Sequence, residues 1–181
     1  MKKTMFWAMC STFLFACNAT EPAAEKAETP AGESAQQPAE FADAKYTDIG
    51  KKGLAALTSG DVDSWVAGFA DNAKYFWNGG DSLIGKAAIA DYWKKRRTEV
   101  IDSISYANDI WLPVKVNTPQ QQVHTAGVWL LGWYQVKTKY KNGKYMGQWI
   151  HTDMHFDAND KIDQLVQYID RAPINAALAG K

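Results

Sequence analysis

The sequence predicts an α+β domain in which a curved antiparallel sheet wraps three N-terminal helices. Apolar residues recur at helical spacing in three segments between about residue 45 and residue 98, and from about residue 100 the pattern changes to strand alternation. An Asn142-Gly143 pair then separates two long strand patterns, a strong short-range hairpin signal. A sheet curved around helices encloses a cone, which is a natural pocket.

The chain reaches that domain through two other segments. Lys2 and Lys3 precede the apolar run "MFWAMCSTFLFA", which is too short to span a bilayer and ends in small residues, so residues 1–16 are expected to be a signal peptide. The closing "LFAC" resembles the lipobox of bacterial lipoprotein precursors, which implies acylation of Cys17. Three lipid chains would anchor firmly, since each buried methylene contributes about 0.8 kcal/mol. Asn18 stands where an Asp would signal inner-membrane retention, so the resemblance implies an exported protein at the outer membrane, facing the periplasm. Cys10 leaves with the signal, and with Cys17 acylated no disulfide or cysteine metal ligand is expected. Residues 17–42 continue as an Ala/Glu/Pro-rich stretch with little to bury, expected to be a disordered tether reaching ~25–30 Å.

The domain occupies residues 43–181. Tyr46, Ile49, Leu54 and Leu57 mark a first helix ending at Gly60, and Asp61 caps a second over residues 62–70. An aromatic strand and loop cover residues 71–85, and a third helix covers residues 86–98. Its "KKRR" run, Lys94 to Arg97, reads as a solvated helix end where cations complement the dipole. Strand patterns follow over residues 103–117, 124–140, 144–157 and 161–170.

A two-residue Asn-Gly turn would set Lys141 opposite Lys144, pairing Trp133 with Thr152, Leu131 with Met154 and Trp129 with Phe156. Trp129, Leu131, Trp133, Ile150, Met154 and Phe156 would then share the buried face. The alternating polar trio His151, Asp153 and His155 would point away from the cone. His151 and His155 are ~13 Å apart on a strand, too far to share a metal ion, which leaves the trio weak as metal ligands and best read as the outer side of a sheet.

"SGDVDSWVAGFADNAKYFWN", "LIGKAAIADYW", the Asn-Gly hairpin and "FDANDKIDQLVQYID" together resemble the nuclear transport factor 2-like superfamily, specifically its SnoaL-like branch. The resemblance implies a cystatin-like α+β barrel whose cone takes apolar molecules, either in enzymes or in non-catalytic binding and dimerising domains. Asp160 stands where many members carry Gly, and Asp tolerates left-handed backbone better than most residues. The ketosteroid isomerase pattern fails: its oxyanion Tyr, base Asp and second oxyanion Asp fall at Gly53, Trp77 and Thr152. None of these can abstract a proton.

The cone instead offers Trp77, Trp93, Trp129 and Trp133 as aromatic walls, with Tyr75, Gln135, Thr152 and Gln167 as polar handles; Trp93 matches an aromatic pocket position and Tyr92 is expected to point elsewhere. This favours a small apolar or aromatic ligand. An isomerase, cyclase, dehydratase or hydrolase would need its acid or base among Asp71, Asp109, His124 and Asp170, whose simpler readings are turn, cap and strand-end residues. A filled cone serving only dimerisation is the third possibility. Lys+Arg 20 against Asp+Glu 20 gives no electrostatic case for nucleic acid, and loss of the two signal lysines leaves a net charge of −2. No Gly-rich phosphate loop or nucleophile elbow suggests a cofactor. A homodimer through the sheet is expected.

Overall fold

The computed structural model describes residues 37–119 and 125–179, so the expected lipid acceptor Cys17 and the candidate base His124 lie outside the described residues. Strand β1 (Ala39–Phe41) pairs with the end of β4 (Ile101–Val116), so the last residues of the expected tether join the sheet. Helix α1 (Lys45–Ser59) buries Tyr46, Gly50, Leu54 and Leu57 along one face. It stops at Gly60, whose φ of 84° is the left-handed conformation that suits glycine. Asp61 caps α2 (Val62–Val66) by accepting the Ser64 N–H, and this bond holds its carboxyl below the usual range.

Helix α2 is shorter than the expected 62–70. The Gly68 carbonyl accepts the Ile162 N–H, drawing the chain into the sheet, and Phe69 opens β2 (Phe69–Trp77). A short β3 (Ser82–Ile84) folds back on β2 before α3 (Lys86–Lys95), which continues as a five-residue π-helical turn, Arg96–Val100. Strands β4, β5 (Gly127–Tyr140), β6 (Tyr145–Phe156) and β7 (Ile162–Tyr168) lead to a helix not expected from the sequence, α4 (Arg171–Leu178). The curved, open seven-stranded sheet runs β1-β4-β5-β6-β7-β2-β3, with β2 and β7 its parallel pair. No helix of the described residues is long and apolar enough to cross a membrane.

The hairpin differs from its expected form by one residue. Tyr140, not Lys141, faces Lys144, through the Tyr140 N–H donating to the Lys144 carbonyl at 2.8 Å. The loop is Lys141-Asn142-Gly143: only Gly143 adopts positive φ (85°), whereas a two-residue type I′ turn would require Asn142 to do so as well. This is a type I turn closed by a glycine bulge. A one-residue slip exchanges the faces of a strand. Trp133 therefore pairs with His151, Trp129 with His155 and Leu131 with Asp153 on the outer face, while Leu130, Tyr134, Val136, Thr138 and Tyr140 point inward. The facing of β6 is as expected, with Ile150, Thr152, Met154 and Phe156 inside and the polar trio outside.

At one end of the cone aromatic side chains pack closely against the backbone. Gly132 and Gly50 let the Trp111 ring lie between β5 and α1; a Cβ on Gly132 would sit 2.5 Å from that ring, and one on Gly50 would sit 2.7 Å from Leu130. Tyr134 lies against the other side of Trp111, with ring centroids 5.7 Å apart. Asp160 has a φ of 57° in the β6–β7 turn, in keeping with its tolerance of left-handed backbone, and its carboxylate accepts the Tyr46 hydroxyl. Gly132→Ala is expected to lower stability by about 1–3 kcal/mol through overpacking against Trp111, measured as a lower urea midpoint with an unchanged slope.

Candidate functional site

The wide end of the cone stays open as a cavity of about 240 Å³. Inward residues of the sheet form one wall: Ile104 and Tyr106 from β4, Val136, Thr138 and Tyr140 from β5, and Met146, Gln148 and Ile150 from β6. The opposite wall comes from Trp77 of β2, Gln167 of β7, and Tyr92, Trp93 and Arg96 of α3 and its π turn. Ile174, Asn175 and Leu178 of α4 line the mouth. The sequence places these groups by periodicity: Ile89 and Trp93 are one helical turn apart, and Tyr92 and Arg96 repeat the step alongside.

An aromatic seam stiffens the second wall. Trp65 meets Trp93 edge-on at 5.3 Å, Tyr75 meets Trp77 at 4.5 Å, and Trp77 meets Tyr92 at 5.2 Å. The Gln167 Oε1 accepts both the Tyr75 hydroxyl (2.8 Å) and the Trp77 indole N–H (3.1 Å), which settles its amide orientation. Thr152 and the Tyr134 hydroxyl bond each other at 2.7 Å. Two donors on the wall have no hydrogen-bond partner among the described residues, the Trp93 indole N–H and the Tyr140 hydroxyl. Burial pushes the Tyr75, Tyr106, Tyr134 and Tyr140 hydroxyls above the usual phenol range, so they remain protonated.

Of the expected ligand-binding residues, Trp77, Trp93 and Gln167 stand on the cavity wall. Tyr75 and Thr152 are buried just behind it, with their hydroxyls already bonded. Trp129, Trp133 and Gln135 are corrected to the outer face by the one-residue slip: Trp129 packs on His155, Trp133 stacks on His151, and Gln135 accepts the Asn108 side-chain N–H. Tyr92 lines the cavity with Trp93, contrary to expectation, because both project from the side of α3 that faces β2. The "KKRR" run also divides: Lys94 pairs with Asp63 at 2.6 Å, while Arg96 turns into the cavity wall.

None of the described acid or base candidates lies on this wall. Asp71 is exposed beside Lys86, Asp109 accepts the Trp111 indole N–H, and Asp170 caps α4 by accepting the Ala172 N–H. The wall's carboxylate among the described residues is Asp81 at the mouth. Arg171 donates to both of its oxygens at 2.6 Å and holds it below the usual carboxylate range.

On the outer face, His151 lies between Trp133 (4.4 Å, nearly parallel) and Tyr168 (5.4 Å), with its Nε2 2.8 Å from Asp153 and its Nδ1 3.0 Å from the Gly132 carbonyl. His155 contacts Asp163. Among the described residues no group of three His, Cys, Asp or Glu side chains could hold a metal ion. The same face exposes Ile110, Leu112, Tyr145, Trp149 and Tyr168.

No protein-family model and no curated protein matches this sequence. Solved structures do share its fold. A Bacillus subtilis protein assigned as an isomerase aligns at TM-score 0.59 and 17% identity, over 76% of this chain and 94% of its own. One from Xanthomonas campestris assigned as a polyketide cyclase gives 0.58 and 16%, over 73% and 95%. One from Shewanella denitrificans, assigned as a SnoaL-like polyketide cyclase, gives 0.53 and 15%, over 77% and 100%. The domain thus has the nuclear transport factor 2-like fold of SnoaL-like proteins.

Gln167→Leu would leave the buried Tyr75 hydroxyl and Trp77 N–H without their shared acceptor. A stability loss of about 1–3 kcal/mol is expected, read as a lower urea midpoint.

Proposed function

We propose that this is an exported, Cys17-anchored SnoaL-like protein that binds a small, largely apolar or aromatic molecule in the cone and pairs with a second copy through its outer sheet face. The observation that carries the binding reading is the cavity itself. Its walls are largely aromatic and aliphatic, with a set of polar groups that includes two unpartnered donors among the described residues, a composition that suits recognition of a small molecule. A cone filled for dimerisation alone would have no use for this space.

Binding is favoured over catalysis by the state of the wall. The fold neighbours are assigned as an isomerase and as cyclases, and such chemistry requires a base beside the substrate. Here the ketosteroid isomerase positions hold Gly53, packed on Trp65, together with Trp77 and Thr152. Asp81 is already committed to Arg171. The dimer reading rests on the exposed Tyr145, Trp149 and Tyr168 beside the Trp133–His151 stack, an apolar face of the kind a second copy would cover.

The binding reading is tested by native mass spectrometry of the protein purified gently from its host, with a stoichiometric small molecule expected on denaturation. Val136→Phe, which fills the cavity, should abolish that mass while leaving the melting temperature unchanged or raised; an empty wild-type protein that also ignores an apolar ligand panel would refute it. Trp149→Glu should convert dimers to monomers in sedimentation velocity. A monomeric wild type would end the dimer reading.

A further inference from the structure

We propose that the molecule held in the cone is an organic monoanion, a small aromatic or short-chain carboxylate whose charged group is received by Arg96. The proposal builds on the binding reading and specifies the chemistry of its ligand.

Three charged side chains line the cavity: Asp81, Arg96 and Arg171. Asp81 and Arg171 neutralise each other at the mouth. Arg96 has no carboxylate partner among the described residues; its guanidinium lies over the Tyr92 ring, 5.5 Å from the centroid. Among the described residues the cavity therefore carries one positive charge that no carboxylate pairs. Arg96 is half-buried, and a guanidinium partly drawn from water is stabilised when an anion or strong acceptor meets it.

The neighbouring polar groups point to the same ligand. The Trp93 indole N–H and the Tyr140 hydroxyl are buried donors without partners among the described residues, on the same cavity. Two amide oxygens on the wall are already in use: Gln167 Oε1 takes two donors, and Gln148 Oε1 takes the Asp170 N–H. A wall rich in donors and carrying one cation selects a group that only accepts hydrogen bonds. A carboxylate fits best, because its two oxygens match the planar guanidinium fork and one arginine balances a single negative charge. The positive charge of Arg96 also acts against the burial that raises the Tyr140 and Tyr75 hydroxyls, in keeping with a position on the inner side of the cone. At about 240 Å³ the cavity has the volume of roughly eight waters, which suits a one- or two-ring acid or a short fatty acid.

The sequence hides this residue in a cationic run that resembles a solvated helix end. Arg96 separates from that run because it lies one helical turn after Tyr92 on the side of α3 that faces the cavity, at the start of a π turn; single π turns recur at functional sites.

Isothermal titration of the purified full chain with matched neutral and anionic probes tests the proposal: benzoate against benzamide, 2-naphthoate against 2-naphthamide, and octanoate against octanamide. For at least one pair the acid should bind on the order of ten- to a hundredfold more tightly than the amide. Arg96→Met should reduce the acid to the affinity of the amide and leave the amide unchanged, whereas Arg96→Lys should keep part of the preference. Equal binding of acid and amide to the wild type, a comparison that needs no variant, would overturn the charge assignment while the pocket stands. A preference that survives in Arg96→Met would overturn it too. If no member of any pair binds, the pocket reading falls and the carboxylate assignment with it.

Discussion

What faces the cavity is decided by the three residues that join β5 to β6. Gly143 alone takes the left-handed backbone, and the loop closes as Tyr140 bonds Lys144. With a two-residue loop, β5 would turn over, and Lys137 and Lys139 would enter an apolar cone while Val136, Thr138 and Tyr140 faced water. In the observed register Lys139 stays outside and pairs with Asp102 at 2.9 Å. Turn geometry and the avoidance of buried charge thus select the same pairing.

The same hairpin also organises the mouth. The Asn142 side-chain N–H donates to the Ala177 carbonyl, and Gln148 exchanges hydrogen bonds with the Asp170 backbone, so both ends of α4 are tied to the β5–β6 pair. The remaining tie crosses to the β2–β3 turn through Arg171 and Asp81. Helix α4 is too short to be stable alone, and it takes its position from these contacts and from the Asp170 cap. The mouth and the wall are consequently parts of one construction.

Much of this was legible in the sequence, because helices α1 and α3 and the four long strands have strong periodicity and recognisable caps. Trp77 and Trp93 were placed on the cone by the resemblance to the ketosteroid isomerase pattern, at its base position and at an aromatic pocket position, with Gln167 named beside them as a polar handle. The facing of β5 did not, since both of its faces are apolar: Trp129, Leu131 and Trp133 compete with Leu130, Tyr134 and Val136, and alternation cannot choose between them. Lys137 and Lys139 held the missing information, as a strand with two lysines on one face shows which face is outside. Tyr75 and Thr152 looked like free handles because a sequence does not show that Gln167 and Tyr134 satisfy them. Helix α4 was missed although Asp170 followed by Pro173 is a plausible cap and first turn.

The chemical character of the cone follows from how its polar groups are spent. A general base must be an ionised or neutral acceptor near the substrate, and on this wall the Asp81 carboxylate is paired at the mouth while the Gln148 and Gln167 amide oxygens are already bonded. The tyrosines are held protonated by burial and so serve as donors. Arg96, the Trp93 indole N–H and the Tyr140 hydroxyl stand on the same cavity in aromatic surroundings, groups that can hold a negative charge and orient a ring. That arrangement supports the proposed reading of the cone as a site that holds a ligand.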